Sequence, residues 1–144
     1  MSRREWKRQL TCHTPLDRLP WFTGELVRLL APFDRALLII DLIVFDVPAE
    51  LEALRRAAGE TRTIPEAPGH LIEGDPEGFR RLLEVVLSDW VDFRVVFSPS
   101  RHALRADHDE HTTFFSMSPG RIAQVREALA GAVYIYDNRT IAPP

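Results

Sequence analysis

The spacing of apolar residues along the chain predicts four helices. In each of them, apolar side chains recur at intervals of three and four residues, which places them on one face of a helix. A proline opens each segment, and a proline or a glycine closes most of them, as is typical of helix boundaries. The four segments cover residues 20–31, 48–59, 75–90 and 118–131, with Trp90 on the apolar face of the third.

A second kind of pattern predicts strands. The run from Ala36 to Val47 is apolar at both odd and even positions and is rich in β-branched residues, which favours a central strand covered on both faces. Asp41 interrupts this run, and we expect it to be paired with an arginine. Shorter strands are predicted at 62–64, 70–73, 93–97, 102–107, 111–117 and 133–136.

Together these elements predict an α+β fold with a single domain. We expect a mixed β-sheet of about five or six strands with about four helices packed on it. The domain covers residues 16–137, after a flexible basic lead-in over residues 1–15 and before a C-terminal tail over residues 138–144. A dinucleotide-binding fold is not expected, because no glycine fingerprint follows the first predicted strand.

Composition narrows the class of protein. With 144 residues, of which 45% are hydrophobic, the chain is large enough for one core, and its single cysteine excludes an intramolecular disulfide. No apolar run approaches the roughly 20 residues of a membrane helix, and no signal-peptide core is visible, so a cytoplasmic location is expected. A net charge of -3 argues against a general nucleic-acid binder. The basic residues before Gln9 offer a weaker nucleic-acid hypothesis.

The charge is unevenly distributed, and this favours a protein partner. Residues 41–92 carry twelve acidic and five basic side chains. An acidic surface speeds association with a cationic partner and disfavours wrong ones. The first hypothesis is therefore a small acidic binding module without a cofactor that inhibits or regulates a basic protein, most concretely an immunity-type toxin inhibitor. The residues expected to contact this partner are Glu66, Glu73, Asp75, Asp107, Asp109 and Glu110.

The alternative is a metal-assisted hydrolase that uses the acidic and histidine residues of segment 107–111. Imidazole and carboxylate are ligands of divalent metals, and a bound metal generates hydroxide at neutral pH. His108, His111 and Asp107 are the candidate ligands of one divalent ion. If residues 109–110 form a two-residue hairpin loop, the two histidines face each other across the strands, whereas a longer loop separates them.

Other catalytic signatures are absent from the sequence. It has no Gly-x-Ser-x-Gly elbow, no phosphate-binding loop and no zinc pattern built on cysteine pairs. The adjacent residues Cys12 and His13 are a poor nucleophile–base pair, because neighbouring side chains seldom point to the same place. Whether the protein is an enzyme is left open by the sequence, although a binding role is favoured.

Overall fold

The computed structural model describes residues 8–137, 141, 142 and 144. In this part of the chain, strands and helices follow one another with short connections, and a 3-10 turn at Leu16–Arg18 precedes the first helix. The elements in chain order are β1 (Gln9–His13), α1 (Leu19–Leu30), β2 (Arg35–Ile43), α2 (Ala49–Ala57), β3 (Gly69–Glu73), α3 (Pro76–Ser88), β4 (Val91–Ser98), β5 (His102–Asp107), β6 (His111–Ser116), α4 (Pro119–Leu129) and β7 (Ile135–Tyr136).

The strands form one sheet in the order β3-β2-β4-β5-β6-β1-β7. The α+β prediction and the four helices are confirmed. The described sheet, however, has seven strands rather than five or six, and its pairings are antiparallel rather than mixed. Hairpin connections such as the one between β5 and β6 favour antiparallel pairing, since a parallel pair needs a longer crossover.

The helices cover one face of the sheet, which contains the hydrophobic core. A row of opposed side chains runs across five strands on this face: Leu38, Val95, Leu104, Phe114 and Leu10. On the opposite face, which we call the outer face, Leu37 and Val96 are 38% and 42% exposed. The predicted two-sided burial of residues 36–47 is therefore wrong, and the strand ends at Ile43 rather than Val47. An antiparallel sheet needs helices on only one face.

The largest error of the sequence prediction lies near the N-terminus. Residues 9–13, placed in the flexible lead-in, form the inner strand β1 between β6 and β7. Leu10 and Cys12 point into the core, while the Thr11 hydroxyl on the other face lies 2.8 Å from that of Thr113. The remainder of the predicted lead-in, residues 1–7, lies outside the described residues. The short strand expected at 62–64 does not form, and these residues lie in the irregular loop before β3.

Part of the outer face is covered by the end of the chain. The side-chain amide of Gln9 donates to the Ile141 carbonyl at 3.1 Å and accepts from the Ile141 N–H at 2.9 Å. Arg105 donates to the Ala142 carbonyl at 3.1 Å. Phe115 on this face is buried. Residues 138–140 and 143 of the predicted tail lie outside the described residues.

No helix in the described part of the chain has the length and apolarity to cross a bilayer.

Candidate functional site

The β5–β6 hairpin has a three-residue loop, residues 108–110. Asp107 and His111 are opposed at the ends of the two strands, so His108 and His111 are not cross-strand partners. The Asp107 carboxylate accepts the backbone N–H of Asp109 at 3.0 Å and that of His111 at 3.2 Å. Glu110 adopts a left-handed conformation with φ 64°. These contacts fix the shape of the loop, and the two-residue register that would bring the histidines together does not form.

Each histidine at this end of the sheet has a carboxylate of its own. His108 Nδ1 lies 2.8 Å from Asp92, His111 Nδ1 lies 3.3 Å from Asp107, and His13 Nε2 lies 3.4 Å from Glu110. We call these six residues the tip cluster: His13, Asp92, Asp107, His108, Glu110 and His111.

Asp92 is the residue that orients His108. Its carboxylate oxygen accepts both the backbone N–H of His108, at 2.7 Å, and the ring nitrogen Nδ1. The hydrogen bond and the negative charge of Asp92 raise the pKa of His108 above its ordinary value. Asp92 lies at the start of β4, which is two strands away from β6 in the sheet. Sequence reasoning missed it because nothing in the local sequence links it to residue 108.

This arrangement does not favour the metal-site hypothesis. A metal site needs several donor atoms converging on one point. Among the described residues, no group of three or more His, Cys, Asp or Glu side chains is placed to hold a metal ion. His108 instead forms a hydrogen bond with Asp92 through Nδ1, and the Nδ1 atom of His111 lies near a different carboxylate, that of Asp107.

A small, shallow cleft of about 10 Å³ lies beside the tip cluster. Leu16 and Trp90 line it together with His108 and Glu110. Phe45 extends the apolar wall, because its ring contacts that of Trp90 edge-on at a centroid distance of 6.3 Å. We define the tip surface as the solvent-accessible residues of this region, four exposed and two partly buried: Leu16, Phe45, Trp90 and Asp109, with His108 and Glu110.

The apolar part of the tip surface was missed by the sequence analysis. Trp90, expected on the buried face of the third helix, lies beyond the end of α3 and is 43% exposed. Its φ of 59° is in the left-handed region, which ends the helix before it. Phe45, expected in the buried strand, is 70% exposed in the loop after β2. Apolar spacing alone does not distinguish these positions from core positions.

The six acidic residues predicted to contact a partner do not form one surface. Asp107, Asp109 and Glu110 lie together at the hairpin. Glu73 lies near the opposite end of the sheet, since it pairs with Arg35, which in turn is opposite Ser98 at the far end of β4. Asp75 caps α3 by accepting the N–H of Gly78 at 2.9 Å. Glu66, in the loop before β3, accepts the N–H of Thr63 at 3.0 Å.

Most other acidic side chains in ion pairs are bound to arginine. These pairs are Glu25–Arg28, Asp41–Arg94, Glu52–Arg56, Glu60–Arg62, Arg80 with both Glu77 and Glu84, and Arg126–Asp137. The expected arginine partner of Asp41 is thus present. Within residues 8–137, by contrast, Asp92, Asp109 and Glu110 form ion pairs only with histidine. The tip-surface carboxylates Asp109 and Glu110 therefore have no arginine partner within these residues.

Cys12 and His13 do not form a catalytic pair. Successive residues of β1 point to opposite faces of the sheet. Cys12 is buried in the core, and burial raises the pKa of its thiol to about 12. His13 pairs with Glu110 at the strand end.

Comparisons with protein-family models, with curated proteins and with solved structures find no match to this chain.

Proposed function

We propose that this protein is a binding module that uses the tip surface to engage a basic protein partner and to inhibit or regulate it. An immunity-type toxin inhibitor of the cytoplasm is its most concrete form. The observation that carries the proposal is the juxtaposition of exposed aromatic side chains, Phe45 and Trp90, with carboxylates that no arginine within the described residues neutralises.

The chemistry of protein interfaces supports the proposal that the tip surface binds a protein. Binding energy is concentrated in a few large side chains, with tryptophan enriched among them, and surrounding polar residues exclude water from these anchors. Trp90 and Phe45 supply the anchors, and Asp109 and Glu110 supply an acidic rim. Acidic rim residues accelerate association with a cationic partner in a salt-dependent way.

The backbone at Trp90 also supports a functional role. A residue other than glycine in the left-handed region costs about 1–2 kcal/mol. Conformations of this kind concentrate at functional sites, where the rest of the fold holds them in place. At φ 59°, Trp90 is held with its ring against Phe45 and over the cleft. An anchor that is already placed before a partner arrives loses less entropy on binding.

The immunity hypothesis is tested by coexpression with the product of the adjacent gene. We expect that product to arrest growth when it is expressed alone and the wild-type chain to restore growth. Trp90→Ala should abolish the rescue. Adjacent-gene products that are harmless, or a rescue that persists in the Trp90→Ala variant, would count against the immunity role.

Once a partner has been identified, binding kinetics test whether the tip surface contacts it. Trp90→Ala should weaken binding by at least tenfold, mainly through faster dissociation. Asp109→Asn should slow association severalfold at low salt and have little effect at high salt. Glu73→Gln removes the same charge at the other end of the sheet and serves as the matched control. Equal effects of Asp109→Asn and Glu73→Gln would show that only net charge matters and that the tip surface is not the contact.

A further inference from the structure

A second region, outside the tip surface, contains a buried arginine without a counter-ion among the described residues. Arg55 in α2 is only 4% exposed. Its Nη2 group donates to the carbonyl oxygens of Ala67 at 2.8 Å and Arg62 at 3.3 Å, which ties the loop before β3 to the helix. Among the described residues, no carboxylate lies within ion-pair distance of Arg55, and its Nη1 group has no hydrogen-bond partner.

A buried charge in this state is unusual. Charged groups inside proteins are ordinarily paired, because removing them from water without compensation is costly. The two carbonyl contacts explain how Arg55 orders the loop, but they satisfy only one end of the guanidinium group. The charge of Arg55 contributes to the pKa shifts of two neighbours. Burial and then Arg55 lower the pKa of His70, and hydrogen bonds from Arg62, with a smaller contribution from Arg55, lower the pKa of Glu60 to about 2.

Arg55 lines a cavity of about 330 Å³ between α2 and the following loop. Its wall contains three guanidinium groups and two carboxylates, an excess of one positive charge in a segment that is otherwise acidic. Both carboxylates are engaged, Glu60 with Arg62 at 2.9 Å and Glu52 with Arg56 at 3.4 Å. The hydroxyl-bearing residues Thr61 and Thr63 complete the polar wall.

We infer that this cavity, which we call the Arg55 pocket, binds the oxyanion group of a small molecule, a carboxylate or a phosphate. Guanidinium groups suit both, because their N–H donors match two oxygens at once. The Nη1 group of Arg55 is buried in the wall, so an incoming oxygen displaces a neighbouring side chain to reach it. Residues 61–63 of the wall are exposed, and their side chains can shift without disturbing the core.

The test is calorimetric titration of the whole chain with inorganic phosphate and, separately, with acetate, in a constant chloride background. We expect saturable binding of at least one of them, and the one that binds more tightly identifies the class of group. Arg55→Met should weaken this binding at least tenfold, and Arg55→Lys less. Absence of saturable binding of both anions overturns the inference.

Substitutions of Arg62 and Glu60, which lie outside the hydrophobic core, keep the test decisive if the Arg55 variants do not fold. Arg62→Gln should weaken binding severalfold. Glu60→Gln removes a competing carboxylate and releases Arg62, and it should tighten binding severalfold, a result that structural damage cannot imitate. Arg28→Gln, which breaks a comparable surface pair with Glu25 on α1, is the matched control and should have no effect. An unchanged affinity in both Arg62→Gln and Glu60→Gln would contradict the assignment.

Discussion

Two histidines of the same sheet differ in what controls their charge. His108 lies at the hairpin loop, where the hydrogen bond and charge of Asp92 raise its pKa. His102 is buried in β5 with its ring 3.0 Å from the Ser116 hydroxyl, and burial together with the positive charge of Arg121 lowers its pKa. The hydrogen bond to Asp92 dominates in the first case and desolvation in the second. Only His108 lies on the tip surface, where its protonation would reduce the negative charge offered to a partner.

The pairing of His108 with Asp92 predicts a specific change in titration. Asp92→Asn should lower the pKa of His108 towards its ordinary value of 6.5, as measured by NMR of the imidazole protons. Because the folded-state pKa is raised, the stability that the pair contributes is present below pH 6.5 and is lost as the pH rises through the folded-state pKa.

The control for this titration is Asp109→Asn. Asp109 lies 3.9 Å from the other ring nitrogen of His108, with most of its side chain exposed, and its effect should be the smaller of the two. If both variants shift the pKa of His108 equally, the general field of the hairpin and not the Asp92 contact sets the charge state.

Cys12 offers a test of the buried strand β1. A thiol reacts as its thiolate, and a thiol with a pKa of about 12 has little thiolate at pH 8. We therefore expect the native protein to be inert to a thiol reagent such as dithionitrobenzoate at this pH and to react fully once denatured. Rapid labelling of the native protein would mean that β1 opens readily and that the residues placed in the lead-in by the sequence are indeed loosely held.

Among the secondary-structure elements, the β5–β6 hairpin shows how backbone conformation and chemistry interact. The left-handed conformation of Glu110 allows the three-residue loop to close and sets Asp107 opposite His111. Glycine adopts this conformation without the steric penalty of a Cβ atom. The acidic side chain at residue 110 thus occupies a position where glycine is the favoured residue.

A comparison of two variants measures the energetic cost of the left-handed backbone conformation at residue 110. Glu110→Gly and Glu110→Ala both remove the contact with His13, and they differ only by a methyl group at a residue with φ 64°. Chemical denaturation should show the glycine variant to be more stable by about 1 kcal/mol. An alanine variant as stable as the glycine variant would indicate that the loop adopts another conformation in solution.

The accuracy of the sequence prediction differs between elements for physical reasons. The helices were predicted correctly because their apolar residues repeat over successive turns, as in α3, where Phe79, Leu82, Leu83 and Val86 are buried. Strand β1 was missed because five residues of mixed polarity form no recognisable period. Its place in the sheet is decided by pairing with β6, about a hundred residues later, and such long-range pairing leaves no local signal.

For the molecule as a whole, the sequence could not determine which surfaces are covered. The apolar residues of β2 predict burial, yet only those on the helix side are in the core. The candidate site was predicted only in part, because the sequence does not show which apolar residues are covered. The hairpin acids were found from their local cluster, whereas Trp90 and Phe45 were assigned to the core and Asp92 was not identified. Exposure of an apolar side chain depends on which elements pack over it, and that is a property of the assembled fold.

Neighbouring leucines in β2 test this one-sided arrangement. Leu38 is fully buried in the core, whereas Leu37 is 38% exposed on the outer face. Leu38→Ala should destabilise the protein by about 2–5 kcal/mol through lost burial and the cavity it leaves, and Leu37→Ala by less than about 1 kcal/mol. Each variant is the other's control, since the two make the same chemical change one residue apart in the same strand. Equal losses in urea denaturation would mean that the outer face is covered in solution, for example by a second copy of the chain. In that case the loss for Leu37→Ala should depend on protein concentration, because dissociation would then precede unfolding.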